Sequence, residues 1–160
     1  MSDRAKPIEL LLHLLLREEE ALLNLVRLAG REQEALIASD YAAIESVSAE
    51  MAIAAQLLDG LERERETLLE AIGCRSGGVA DVAEIALRAG VPGFEQARLR
   101  LLDAATELRD VQERNARLLL SAAKLRERWL SLLAGMASST YGAEGRQELQ
   151  QARRFVSKSA

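Results

Sequence analysis

FEQARLRLLDAATELRDVQERNARLLLSAAKLRERWLSLLAGM, residues 94–136, decides the fold. Phe94, Ala97, Leu101, Ala104, Leu108, Val111, Asn115, Leu118, Ala122, Leu125, Trp129, Leu132 and Met136 recur at alternating steps of three and four. That spacing places one apolar stripe along a single helix, and only Asn115 interrupts it. At 1.5 Å per residue the helix spans about 65 Å. A helix of that length predicts an elongated, coiled-coil-like bundle and not a compact globule.

The preceding sequence supplies the helices to pack against it. Ile8, Leu15, Leu22, Ala29 and Leu36 repeat every seven residues, with Leu11, Leu12, Leu25 and Val26 between them. Pro7 suits a first turn, where a missing N–H is harmless. Gly30 lies inside the pattern, where it permits a close helix approach or a bend. Ser39-Asp40 offers an N-cap for a second helix, whose stripe runs Ile44, Val47, Met51, Ala54, Leu58, Leu61, Arg65, Leu68, Ile72 before Gly73 stops it. These two helices each span about 45–50 Å and form a hairpin. GCRSGGVA, residues 73–80, is loop chemistry. Asp81 and Glu84 have the spacing of a capping box for a short helix to Ala89. Gly90 then ends it, and Pro92 stops it and can open the long helix.

Composition agrees. Of 160 residues 49 % are hydrophobic but only 3 % aromatic, and there are two prolines, which favours helices packed through aliphatic side chains. The expected fold class is all-α: an elongated antiparallel bundle of three long helices plus one short helix, with a flexible C-terminal tail. The expected division is a bundle over 1–137 and a flexible segment over 138–160. In that tail Leu149, Ala152, Phe155 and Val156 fall at helical spacing. An isolated helix that short is marginal in water, so it is expected to order on a partner.

Net charge is −4 with both signs interspersed, so the basic stripe of a nucleic-acid binder is missing. A lone cysteine, Cys74, suits a reducing compartment. No window reaches the about 18–20 apolar residues of a membrane span, and the N-terminus lacks a signal-peptide cleavage site. A cytoplasmic protein without an integral membrane segment is expected.

Catalytic chemistry is poorly supported. The single histidine, His13, is read as an exposed helix residue; the residues after it do not fit a phosphoacceptor. Cys74 has no base in its neighbourhood. The RSGG run lacks phosphate-loop spacing. The acidic run Glu18-Glu19-Glu20 and the alternating run 62–66 are read as solvated faces paired between successive turns. No cofactor, metal or enzymatic activity is expected. Asn115 is read as a polar residue that fixes register in an apolar seam. Trp129 admits two readings, core or binding anchor, with core the commoner and exposure favoured near the end of a bundle.

Three stretches carry a resemblance. They are LLLHLLLREEEALLNL with the helix from SDYAAIESV to LLDGLERERETLLEAIG, then RDVQERNARLLLSA around Asn115, and TYGAEG at 140–145. Together and in this order they resemble the flagellar export chaperone family FlgN. The resemblance implies a non-enzymatic, cytoplasmic chaperone of the bacterial flagellar type III export system. It would bind the C-terminal helical region of hook-associated proteins, the hook–filament junction proteins, prevent their premature association and deliver them to the export gate. Implied partners are those proteins and the cytoplasmic domain of the export-gate protein, with export ATPase components as further candidates. Tyr141, Gly142 and Gly145 match the family's gate-docking segment. The C-terminal part of the family is linked with client binding. The tail after Gly145 carries no shared motif, so Leu149, Ala152, Phe155 and Val156 are expected client contacts on amphipathicity alone, and Trp129 is one on the anchor reading of its seam position. The insert over 75–92 departs from compact members of the family. The competing reading is a structural coiled-coil scaffold or self-assembling helical protein.

Overall fold

The computed structural model describes residues 2–74 and 78–140, with side chains for 5–74 and 78–136. The described residues form four helices and no strands: α1 (Ser2–Ala38), α2 (Tyr41–Ile72), α3 (Gly78–Ala89) and α4 (Phe94–Thr140). The chain divides into two compact units, Met1–Leu118 and Leu119–Ala160. α4 contributes to both.

In the first unit the pairing is read from ion pairs. Arg17 meets Glu64 and Arg31 meets Glu50; as one number rises the other falls, so α1 and α2 are antiparallel. Arg100 meets Glu19, and Asn115 meets Ala29 and Glu32. Here both numbers rise together, with separations of 81, 86 and 83 residues, so α4 runs parallel to α1. α1 therefore packs on two long helices and carries buried residues for both. Ile8, Leu11, Leu15, Leu22, Leu25 and Ala29 are buried as their spacing predicts. A second seven-residue series, Leu14, Ala21, Leu28 and Ala35, is buried as well. Both series belong to one stripe wide enough to meet two neighbours.

The predicted seam of α2 holds from end to end: Val47, Ala54 and Leu61 are buried, and Ile44, Met51, Leu58, Arg65, Leu68 and Ile72 are half-buried. α3 adds Val82 and Ala86 to the same core, and Val91 and Phe94 close it where α4 begins.

Helix ends follow one device used three times. Gly73 (φ 88) and Gly90 (φ 75) take the left-handed conformation. The amides there and one residue later return to carbonyls in the last turn: Gly73 to Glu70, Cys74 to Leu69, Gly90 to Leu87, Val91 to Ala86. Such a Schellman motif satisfies carbonyls left without helical partners. α1 ends the same way on Ser39 (φ 55), with Ser39 N–H donating to Leu36 and Asp40 N–H to Ala35. Asp40 then caps α2, its Oδ1 accepting from Ala43 N–H at 3.0 Å. The whole hairpin turn is two residues, one closing a helix and the next opening another.

Four local expectations are corrected. α1 starts at Ser2, so Pro7 lies inside it and not in its first turn; the turn before it is retained while Ala5 packs against the core. α3 begins at Gly78, three residues before the proposed cap, and half-buried Val79 and Ala83 pack it down. Asp81 therefore sits in the first turn, and Glu84 pairs with Arg88 at 2.6 Å in place of reaching back. Pro92 stays in the turn, and Gly93, whose carbonyl accepts from Ala97 N–H, precedes α4. A β-carbon added at Gly30 would meet no neighbouring atom within 4 Å, so no close helix approach depends on that glycine. Arg75, Ser76 and Gly77, in the predicted loop, lie outside the described residues, as does everything after Thr140.

Candidate functional site

The seam of α4 changes character along its length. Phe94, Ala97, Leu101, Ala104, Leu108, Val111 and Asn115 are all buried, and Leu118 is half-buried. From residue 119 to residue 136 every side chain is exposed. Leu125 is 55 % exposed, Trp129 59 %, Leu132 58 % and Met136 65 %. Leu119, Leu120, Leu130 and Leu133 are half or more exposed too. The spacing is unchanged across this boundary; only the cover is lost. In the first unit the hydrogen bonds from α4 to α1 reach Asn115, which meets Ala29 and Glu32, and α1 ends at Ala38. The core reading of Trp129 is thereby corrected: it lies on an uncovered stretch of helix.

This is a large apolar surface of a kind that marks interaction sites in folded proteins. It offers what a partner helix needs, apolar anchors at helical spacing, and holds little that would serve catalysis. Among the described residues no three of His, Cys, Asp and Glu gather as metal ligands. His13 is exposed in an open groove on α1 beside Arg17, Glu19 and Glu20. Cys74 is half-buried in the cap of α2 and packs against the core. No described helix is long and apolar enough to cross a membrane.

Asn115 stands just before the boundary. It is 3 % exposed, and its Nδ2 donates to the Ala29 carbonyl and to Glu32 Oε2, both at 2.8 Å. Its Oδ1 is buried without a partner. One polar side chain thus ties α4 to α1 through a backbone oxygen and a carboxylate at a single register position.

A second polar feature was missed by the spacing argument. Glu18 does not belong to a solvated face: it is 1 % exposed, at the α1–α2 interface. Arg65, the one break in the α2 seam, donates from Nη1 to Glu18 Oε2 at 2.8 Å, while Glu18 Oε1 has no partner. Burial raises the Glu18 carboxyl above its ordinary range, Arg65 draws it back, and Glu62 adds to the rise. The signal was present in the sequence. Glu18 lies between Leu15 and Leu22 on the α1 stripe, so two facing seams each carry one charged residue of opposite sign. The neighbouring acids also pair between helices, Glu19 with Arg100 and Glu64 with Arg17.

Tyr141, Gly142, Gly145, Leu149, Ala152, Phe155 and Val156 lie outside the described residues. Trp129 and Asn115 are the two predicted site residues with described surroundings.

Neither the curated proteins nor the solved structures contain a match to this chain. The family model FlgN, described as FlgN protein, matches residues 1–148. The match covers all four helices and extends through the TYGAEG stretch, and the chain belongs to the FlgN family of flagellar export chaperones.

Proposed function

We propose that this chain is a cytoplasmic, non-enzymatic chaperone of flagellar type III export that holds the C-terminal helical region of a hook-associated protein on the exposed face of α4 and carries it to the export gate. The observation that carries the reading is the uncovered seam: Trp129, Leu125 and Leu132 keep the spacing that is buried further up the same helix, yet no helix among the described residues covers them. The client's terminal helix, which cannot bury its own apolar face alone, supplies the missing cover. Leu149, Ala152, Phe155 and Val156 extend that surface when the tail orders on the client. Ordering both partners lowers affinity, which suits a cargo that must be released. Tyr141, Gly142 and Gly145 are assigned to docking on the cytoplasmic domain of the export-gate protein. Asn115 sets the register of α4 against α1.

The test is binding of a C-terminal fragment of a hook-associated protein and of the gate domain, measured by calorimetry. Deleting 138–160 should leave bundle helicity intact and weaken binding. Tyr141→Ala should lose the gate and keep the client. A truncated chain that binds both as well as the full chain would refute the assignment of the tail. The competing scaffold reading predicts a permanent homo-oligomer in sedimentation, with or without client.

A further inference from the structure

The uncovered stretch of α4 differs from the bundle in charge as well as in cover. Every ion pair among the described residues involves an arginine at or before Arg117. Lys124, Arg126, Glu127 and Arg128 make none, so the segment carries three cations and one anion with no ion-pair partner among the described residues, in a chain whose net charge is −4. Their positions matter. At about 100° per residue, Leu132, Leu125, Trp129, Leu133, Leu119 and Leu130 cover an arc of about 160°. Lys124 and Arg128 fall on the opposite side. Arg126 falls inside the arc, between Leu133 and Leu119.

A helix docked on this arc covers Arg126. A cation covered without a counter-charge is strongly unfavourable, whereas one met by a carboxylate is tolerated and selective. A second copy of the chain is a poor occupant. Arg126 lies near the middle of 119–136, so two copies paired about that middle, antiparallel or parallel, bring two arginines together. A lipid surface is also a poor fit, because an interfacial helix keeps its charges off the apolar face.

We propose that the exposed face of α4 selects amphipathic helices that carry a carboxylate within their own apolar stripe, and that Arg126 is the residue that selects them. The proposal rests on the docking role of this face and adds the chemistry of what docks.

The full chain is titrated with two synthetic leucine-seam helical peptides, identical except for Glu or Lys at the central seam position. The glutamate peptide binds more tightly, by about tenfold or more. Arg126→Glu reverses the order, and Arg126→Met removes the preference while both peptides still dock. Because Arg126 is exposed, circular dichroism of the variants matches that of the parent. Equal affinity for the two peptides, or a preference unchanged in Arg126→Glu, overturns the selection. So does phosphatidylglycerol vesicle binding without peptide binding, or tight self-association indifferent to Arg126. Trp129→Ala separates the two levels. If it weakens both peptides while they bind equally, docking stands and selection alone fails. If neither peptide binds and Trp129→Ala leaves client binding unchanged, docking itself fails, and selection with it.

Discussion

One helix, α4, carries the same apolar spacing through two environments. Before Leu118 the spacing is buried and the arginines around it are largely paired; from 119 to 136 it is exposed and its charges make no ion pair among the described residues. The difference teaches that periodicity reports a face that requires cover without reporting what covers it. In the first unit the cover is α1. In the second no described residue covers the face, and three cations accompany it. A pattern of this kind is interpreted by comparing helix lengths: α4 has 47 residues, against 37 for α1 and 32 for α2.

The largest expected effect contrasts two aromatics on that one seam. Phe94 is 2 % exposed and Trp129 is 59 % exposed. Phe94→Ala should destabilise the bundle by about 3–5 kcal/mol, through lost transfer energy and a cavity. Trp129→Ala should change stability by less than about 0.5 kcal/mol yet weaken binding of a hook-associated fragment. Urea unfolding beside calorimetry measures both. If the two substitutions destabilise alike, the division of the seam is wrong.

Asn115 marks the border between these environments, and a near-isosteric change probes it. Asn115→Asp replaces the donor to Ala29 and Glu32 with a buried carboxylate facing Glu32. The expected loss is about 3 kcal/mol at pH 7, since an uncompensated buried charge is the expensive case. The loss should shrink as acid protonates the introduced carboxyl. Unchanged stability at pH 7 would show that the carboxylate escapes to water, and that the α1–α4 contact at this position is looser than its 2.8 Å hydrogen bonds imply.

Much of the covered half was legible in the sequence. The α2 stripe, including its break at Arg65, and the stops at Gly73 and Gly90 follow from spacing and from glycine's access to positive φ. Ser39 was legible only as part of a cap for α2; its second task, closing α1 at φ 55, appears only when the backbone is seen. Glu18 was misjudged because an acidic run on a helix is usually solvated, and burial of its first member depends on a partner 47 residues away. The site was half legible. Trp129 was placed on the apolar stripe, but whether a stripe is covered is a tertiary quantity that spacing does not report.

The buried pair yields a pH test confined to the covered half. The Glu18 carboxyl is raised by burial, so the folded state holds its proton to higher pH than the unfolded chain does. Its contribution to stability is therefore fully present below the ordinary value of 4.5 and is lost as pH rises through the folded value. Glu50 and Glu95 are lowered, chiefly by hydrogen bonds from Arg31 and Arg98, and their contributions are lost as pH falls below 4.5. The windows are separate. As pH falls from 7 towards 4.5 the wild type should gain stability relative to Glu18→Gln, which keeps the shape and an acceptor for Arg65 but cannot titrate. Parallel urea midpoints for the two proteins across that range would show instead that Glu18 stays ionised throughout.

The smallest effect sharpens the comparison at the level of the backbone. Gly30 and Gly60 lie within α1 and α2, both at ordinary helical φ, and a β-carbon built on either meets nothing within 4 Å. Gly73 also has open space around it but sits at φ 88. Space alone would make the three substitutions to alanine equivalent; backbone conformation separates them. Gly30→Ala and Gly60→Ala should each stabilise the bundle by about 0.5–1 kcal/mol, by restricting the unfolded chain and favouring helix. Gly73→Ala should destabilise by about 1 kcal/mol, because an L-residue is strained in the left-handed region that ends α2. Thermal melts of the three variants decide it. If Gly30→Ala destabilises while Gly60→Ala does not, the glycine in α1 serves a helix approach that the open space around it does not reveal, and the hydrogen bond from Asn115 to Ala29 beside it is where that approach would be sought.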